Sequence, residues 1–413
     1  MIDNGNGKGG EGLTAEVLRH PYPYACTLTI SNDCDYYTKE SFEAIHHYLN
    51  TTGQTPMGEG LGLPISDSVF MYSERPNGLS YFSDLKGRFS RARGILLEAM
   101  KEGWIDTIHG YGDFVRPGVF SRALAENALN ELERENIKIK IWTDHGSSDN
   151  TQNLSLLDRS ARGDKKNHNA YHADFLKEYG ILFVSSLTTD IIGQDGTRQF
   201  RSKPIFQKGL RFRFLKRLHG NLFGKGLVHR KRLRDNHFFY SFCRARCGVL
   251  RPDAFSLKWQ LSKEHLQRLI ESQGTMILYQ HLGAAGQGYS SPPYFDREAI
   301  EVLNHIAERY RGGIIWVAPT VDILIHALVS KSIVLTCTQH GDFAIVEIKA
   351  RGIAKELGLR GLKNISFRIH KQRDGEVRIK YGNHIINEKE YQKFNDKGLV
   401  IKMNPKCEGC LPL

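Results

Sequence analysis

CTLTISNDCD, residues 26–35, decides the fold: a β-prone run from Cys26 to Ser31 passes directly into Asn32, Asp33, Cys34 and Asp35. An apolar strand that ends in acid-bearing residues is the repeating unit of α/β proteins whose chemistry sits at strand ends. Six more runs of this texture follow: 67–72 (DSVFMY), 104–108 (WIDTI), 137–142 (IKIKIW), 181–186 (ILFVSS), 275–280 (TMILYQ) and 314–318 (IIWVA). Helical periodicity lies between them over 39–49, 90–101, 120–135, 262–272 and 296–310. The last of these opens on Asp296, a capping acceptor, and stops before Gly312 and Gly313. Apolar strands alternating with amphipathic helices predict an α/β fold, a parallel (β/α) barrel of about seven strands.

Outward from that core the texture changes. Residues 1–12 carry five glycines, and 1–20 read as a flexible leader. The barrel is expected over 21–330. Residues 331–413 read as a small antiparallel β module, with turns at Asp374-Gly375 and Asp396-Lys397-Gly398.

The 413-residue chain has 57 Lys+Arg against 45 Asp+Glu and is 40% hydrophobic, which excludes a disordered tail. No run approaches the roughly 18 apolar residues of a membrane span, and seven cysteines are too few for a disulfide-framed secreted scaffold. The expected location is cytoplasmic. The charge is local: residues 198–251 hold sixteen Lys+Arg and one acid, Asp235, so this stretch carries +15 and the rest of the chain −3. Aromatics interleave it, and it reads as a basic insertion in the barrel. Its expected partner is an anionic membrane surface or lipid-linked glycan, which would place the protein at the inner face of the membrane. Nucleic acid is a weaker match, because no nucleic-acid motif accompanies the charge. A solvated loop paired with acids elsewhere is the plain alternative.

Polar residues that follow predicted strands are the site candidates. Asp33 and Asp35, two apart, face one side of an extended chain, where one carboxylate can act as a base and the other bind a cation; a simple loop turn is the other reading. His109 and Asp113, separated by a turn with two glycines, can meet one divalent ion, and imidazole plus carboxylate suits zinc. Further strand ends carry Trp142, Asp144 and His145, then Asp190, then His281 before a glycine-rich loop, where a histidine can serve as general acid or as a structural donor. Tyr36 and Tyr37 beside the aspartates can stack on a sugar or pack inward. His46-His47, Cys243 with Cys247, and the terminal Cys407-Glu408-Gly409-Cys410 fit no complete site. Taken together, the strand ends define a metal-assisted hydrolase site.

In the order of these motifs, residues 20–325 resemble the polysaccharide deacetylase superfamily, the nodulation-protein-B-like carbohydrate esterases. The resemblance implies that Asp33 is the catalytic base and that Asp35 and His109 are metal ligands. Asp113 stands where the family has a second histidine. It implies that His281, at the end of Ile277-Leu278-Tyr279-Gln280-His281, protonates the leaving group. The family's Arg-x-Pro-Tyr motif is absent, and Trp142, His145, Asp190 and Tyr36 are the weaker substrate-binding candidates. The implied activity is metal-dependent removal of an acetyl group from a carbohydrate. Zinc would be the ion, with cobalt, nickel or manganese as substitutes. Glycosidic cleavage on the same barrel and a non-catalytic barrel that binds anionic glycan or lipid are the alternatives.

Overall fold

The computed structural model describes residues 13–75, 78–114, 118–146, 150–156, 160–203, 226–286, 288–370, 376–396 and 398–405. Seven parallel strands close into a barrel: β1 (Cys26–Asn32), β2 (Ser66–Val69), β3 (Ile105–His109), β4 (Ile141–Thr143), β5 (Phe183–Thr189), β6 (Phe238–Ala245) and β7 (Thr275–Gln280). β1 pairs with β7 along six residues, from Thr27↔Thr275 to Asn32↔Gln280. The ring closes through β5 and β6, with a register shift between Ser241 and Cys243. An eighth parallel strand, β8 (Ile315–Val317), pairs with the first half of β1, while β2 pairs only with Ser31 and Asn32. β8 therefore lies off the ring.

One barrel strand departs from the sequence expectation. β6 lies inside the run that reads as a basic insertion. Its barrel face was masked by the arginines and lysines around it, yet Phe239, Phe242, Cys243, Arg244 and Ala245 are all buried. A strand from Val228 to Arg232 forms an antiparallel hairpin with it. Residues 204–225, which hold six Lys+Arg and no acid, lie outside the described residues.

The helices form where capping and apolar spacing agree. α1 (Lys39–Asn50) starts at a capping box between Thr38 and Ser41 and buries Phe42, Ile45 and Leu49. α2 (Arg93–Lys101) and α3 (Arg122–Arg134) follow, each with a buried apolar face. α4 (Ala173–Tyr179) ends at Gly180, whose φ of +100° only glycine adopts without strain. α5 (Lys263–Ser272) is capped by Ser262. α6 (Arg297–Arg311) is capped by Asp296, which accepts from Ala299 N at 2.8 Å, as its sequence implies. α7 (Thr320–Ser332) follows β8. Outward-facing Leu28, Ile30, Met276 and Leu278 join these helices in one apolar core, whose removal from water is the main stabilising term. No helix among the described residues is long and apolar enough to cross a membrane.

The chain forms two compact units that meet in sequence at Ala25/Cys26 and Ile323/Leu324, so the barrel unit runs from 26 to 323. The second unit joins residues before 26 to those after 323. It contains an antiparallel sheet in the order Thr14–Val17, Ser366–His370, Leu399–Met403, Tyr391–Asn395. Its other sheet runs Ile333–His340, Phe343–Ala350, Glu376–Tyr381, His384–Ile385, with the middle pair parallel. Thr14–Val17, within the expected leader, is thus an edge strand bonded to Ser366–His370. Residues 1–12 and Cys407–Cys410 lie outside the described residues.

At the start of β3, buried Asp106 accepts from Ser66 Oγ (2.8 Å), Thr107 Oγ1 (2.8 Å) and Val321 N (2.8 Å), tying the first turn of α7 to the barrel. Burial pushes its carboxyl up to about 6 despite these donors. The folded state therefore keeps a proton that the unfolded chain has lost, and Asp106 costs stability as pH rises from about 4 to about 6. Asp106→Asn should gain stability relative to the parent across that window and no further above it. Urea midpoints of both proteins at pH 4.5 and 7 check this, and a constant difference would refute the assignment.

Candidate metal centre and catalytic groups

Strand periodicity builds the site. Residues two apart share a face, and the interior face of each strand runs to the same end of the barrel. Asp33 and Asp35 follow β1, His109 ends β3, Thr143 and His145 end β4, Arg244 ends β6, and Tyr279 and His281 end β7. This is the C-terminal end, where the barrel's loops meet.

Asp35 sits between two imidazoles. His109 Nε2 lies 3.0 Å from its Oδ2, and His145 Nε2 lies 3.0 Å from its Oδ1. The other nitrogen of His109 is 2.8 Å from Thr143 Oγ1, which fixes the ring. Phe70 stacks on His109 at 5.2 Å and meets His145 edge-on at 5.0 Å, so an apolar wall backs the pair. Burial alone would raise the Asp35 carboxyl, but His145 and His109 override it and hold it well below the carboxylate range.

Asp33 faces the same space from the other side. Arg244 Nη1 contacts its Oδ1 at 2.5 Å, while Oδ2 is buried without a hydrogen-bond partner, 3.6 Å from His109 Nε2 and 4.0 Å from His281 Nε2. Burial pulls the Asp33 carboxyl upward; Arg244, with His109 and His281, reverses that and keeps it ionised below the ordinary value. His281 lies 3.8 Å from Asp35 Oδ2, and its Nδ1 is 3.0 Å from the Pro252 carbonyl. A carbonyl only accepts, so Nδ1 donates there and Nε2 is the nitrogen that faces the carboxylates. The Tyr279 hydroxyl is 3.3 Å from that nitrogen.

Asp35, His109 and His145 bring their ligand atoms within 4.8 Å of one another, as do Asp33, Asp35 and His281. These buried Asp/His groups could hold a metal ion. Two imidazole nitrogens and one carboxylate oxygen form a three-ligand set suited to a divalent transition ion with open positions. The partnerless Asp33 Oδ2 fits the same conclusion, since a buried carboxylate oxygen is costly unless it meets a donor or a cation.

The ligand set differs from the sequence expectation at one position. Gly110, at φ +54°, turns the chain sharply after His109, and a Cβ there would meet the Gln152 amide at 2.9 Å. Asp113 is thereby carried to the 73–75 loop, where it accepts from Glu74 N (3.0 Å) and Ser73 Oγ (3.2 Å) and pairs with Arg75 Nε (2.9 Å). Asp113, expected as the third ligand, thus anchors a loop outside the cluster, and His145, expected only as a weak substrate contact, lies within it. Trp142 also departs from its assignment: it is fully buried and donates to Asp144 Oδ1 at 3.0 Å, because it lies on the outward face of β4. Asp190 accepts from Gly248 N at 3.0 Å and braces the turn after β6. Tyr36 is half-buried beside Asp35 in the left-handed region (φ +63°), with Arg75 4.9 Å over its ring, and so lies at the rim of the site. Tyr37 packs inward.

Sequence reading missed Arg244, Thr143 and Phe70. Arg244 had a usable signal: Arg244 and Arg246 stand two apart at the end of FFYSFCRA, the same spacing as Asp33 and Asp35. Of the basic run's other charges, Arg234 is bonded to buried Asp164, with Arg234 Nε 3.0 Å from Asp164 Oδ1. No protein-family model matches the chain, and no curated protein matches it.

Asp35→Ala, His109→Ala and His145→Ala should each weaken zinc binding more than about 100-fold, since loss of a ligand exceeds loss of an outer partner. Asp113→Ala should leave zinc affinity nearly unchanged. Equilibrium dialysis with elemental analysis reads the difference; zinc lost in Asp113→Ala but retained in His145→Ala would restore the sequence-derived set.

Proposed function

We propose that the protein is a metal-dependent hydrolase that removes an acetyl group from a carbohydrate. The observation that carries the reading is the convergence of Asp33, Asp35, His109, His145 and His281 at one barrel end, with Asp33 held ionised by Arg244 and His281 presenting Nε2. The sugar and the acetyl group come from the resemblance at residues 20–325.

Asp35, His109 and His145 would hold the ion, zinc by their donor chemistry. When bound, it supplies Lewis acidity toward an acyl oxygen and lowers the pKa of a coordinated water. Asp33 Oδ2, free of hydrogen bonds, accepts the proton of the attacking water. Arg244 keeps that carboxylate ionised and fixes its orientation, at the cost of reduced basicity. His281 delivers a proton from Nε2 to the departing amine, while its Nδ1–H to Pro252 holds the ring plane. The Phe70 wall excludes water from behind the imidazoles, which strengthens each electrostatic contact. Tyr36 at the rim offers a ring face for a sugar.

A site of action at the inner face of the membrane is supported only by the charge of the basic run 198–251, a pattern suited to anionic lipid headgroups.

With the zinc-loaded full chain and N-acetylated sugars, free acetate and a new amine should appear in equal amounts while glycosidic bonds stay intact. Asp33→Asn and His281→Ala should each lower kcat by about 100-fold or more with zinc content unchanged. Full turnover in either variant, or cleavage of the glycosidic bond in place of acetate release, would overturn the reading.

A further inference from the structure

Two residues beyond Arg244 on the same strand face stands Arg246. Its backbone is pinned: its N–H donates to Thr189 O at 2.8 Å, and its carbonyl accepts from Gln260 Nε2 at 3.1 Å. The Asp190–Gly248 bond closes the turn behind it. The Arg246 guanidinium lies 5.5 Å from the centre of the Tyr279 ring, and the Arg244 guanidinium lies 4.2 Å from that centre. Tyr279 is also the residue whose hydroxyl reaches His281 Nε2. Arg246 therefore flanks the ring of Tyr279, the neighbour of His281.

The two arginines differ in compensation. Arg244 is neutralised by Asp33. Arg246 is half-buried, and no acid among the described residues pairs with it. Several half-buried arginines of the barrel have carboxylates: Arg75 has Asp113, Arg93 has Glu131 and Glu135, and Arg122 has Asp174. Arg309, on α6, is half-buried with no acid among the described residues beside it, but it lies on an outer helix, whereas Arg246 lies against Tyr279. A cation withdrawn from water without a counter-charge is costly, and such costs persist where a ligand supplies the missing charge. The Tyr279 ring offsets only part of it.

We propose that Arg246 is an anion-binding residue of the site and that the substrate carries a carboxylate or a phosphate ester close to the acyl group removed. A planar guanidinium with free N–H donors suits both groups, in one- or two-point contact. The substrate class rests on the hydrolase reading given above; the anion site itself does not.

The test has two arms on the full chain. In the first, inorganic phosphate and glucuronate are titrated into the metal-free protein by calorimetry. The parent should bind at least one of them, and Arg246→Gln should bind that one about tenfold more weakly, the loss of one charge-assisted contact. Arg246→Lys, which keeps the charge, should fall between them and covers the case in which the glutamine variant does not fold. In the second arm, KM is measured on the zinc-loaded protein with neutral, phosphorylated and carboxylated N-acetyl sugars. Arg246→Gln should raise KM about tenfold for the preferred anionic sugar and by a clearly smaller factor for the neutral one. Whichever anionic sugar shows the effect identifies the source of the charge. Failure of every sugar to turn over, with anion binding still dependent on Arg246, would remove the hydrolase reading alone. A parent that binds neither anion, or an Arg246→Gln protein that binds them equally well, would overturn the anion site.

Discussion

The contact between Arg244 and Asp33 crosses the barrel interior from β6 to β1, and both partners are buried. Neither residue could stand there alone. A lone carboxylate at that depth would take up a proton, and a lone guanidinium would be an uncompensated cation; breaking such a pair costs about 3–5 kcal/mol. Together they hold an ionised oxygen, Asp33 Oδ1, in place and leave Oδ2 turned toward His109 and His281. The orientation of the proposed base is thus set by a residue more than two hundred positions away in the chain.

The second constraint is parity. A strand places alternate residues inside and outside, so the choice of Asp33 as interior also makes Asp35 interior and sends Leu28 and Ile30 to the helices. The same rule puts Thr143 with His145 and Tyr279 with His281. One shift of register in any strand would exchange the site for apolar side chains. The apolar outer face therefore protects the chemistry: its burial against the helices is what keeps the register fixed.

Much of this is legible in the sequence, and the failures have local causes. Seven apolar runs predict a barrel of seven strands, and a closed seven-strand ring is present, but its membership differs. β8 pairs beside β1 outside the ring, and β6 takes the vacated place. The run FFYSFCRA with arginines two apart carried a strand signal, but the surrounding lysines and arginines hid it, and the features that confirm β6, its burial and its acid partner, are long-range. Strand-end position correctly gathered Asp33, Asp35, His109, His145 and His281. It failed for Asp113, since a strand end fixes the first residue of a loop and a glycine at positive φ then redirects the rest. Trp142 failed on parity, which its place one residue before Thr143 already encoded.

Charge accounting at the site ties these threads together. Asp33, Asp35, Arg244 and Arg246 contribute two negative and two positive charges, so their sum is zero. A divalent ion on Asp35, His109 and His145 would leave an excess of two positive charges in a space lined by Phe70 and the barrel wall, where water screens poorly. Such an excess favours whatever brings negative charge in: an oxyanion that develops during acyl transfer, or an anionic group already present on the substrate. The first lowers the barrier, and the second adds binding that a neutral sugar could not obtain. The basic run that reads as an insertion is thus not uniform. Arg244 belongs to the barrel interior, where it is paired with Asp33, and Arg246 stands half-buried two residues on, so two charges of the run belong to the strand-end site.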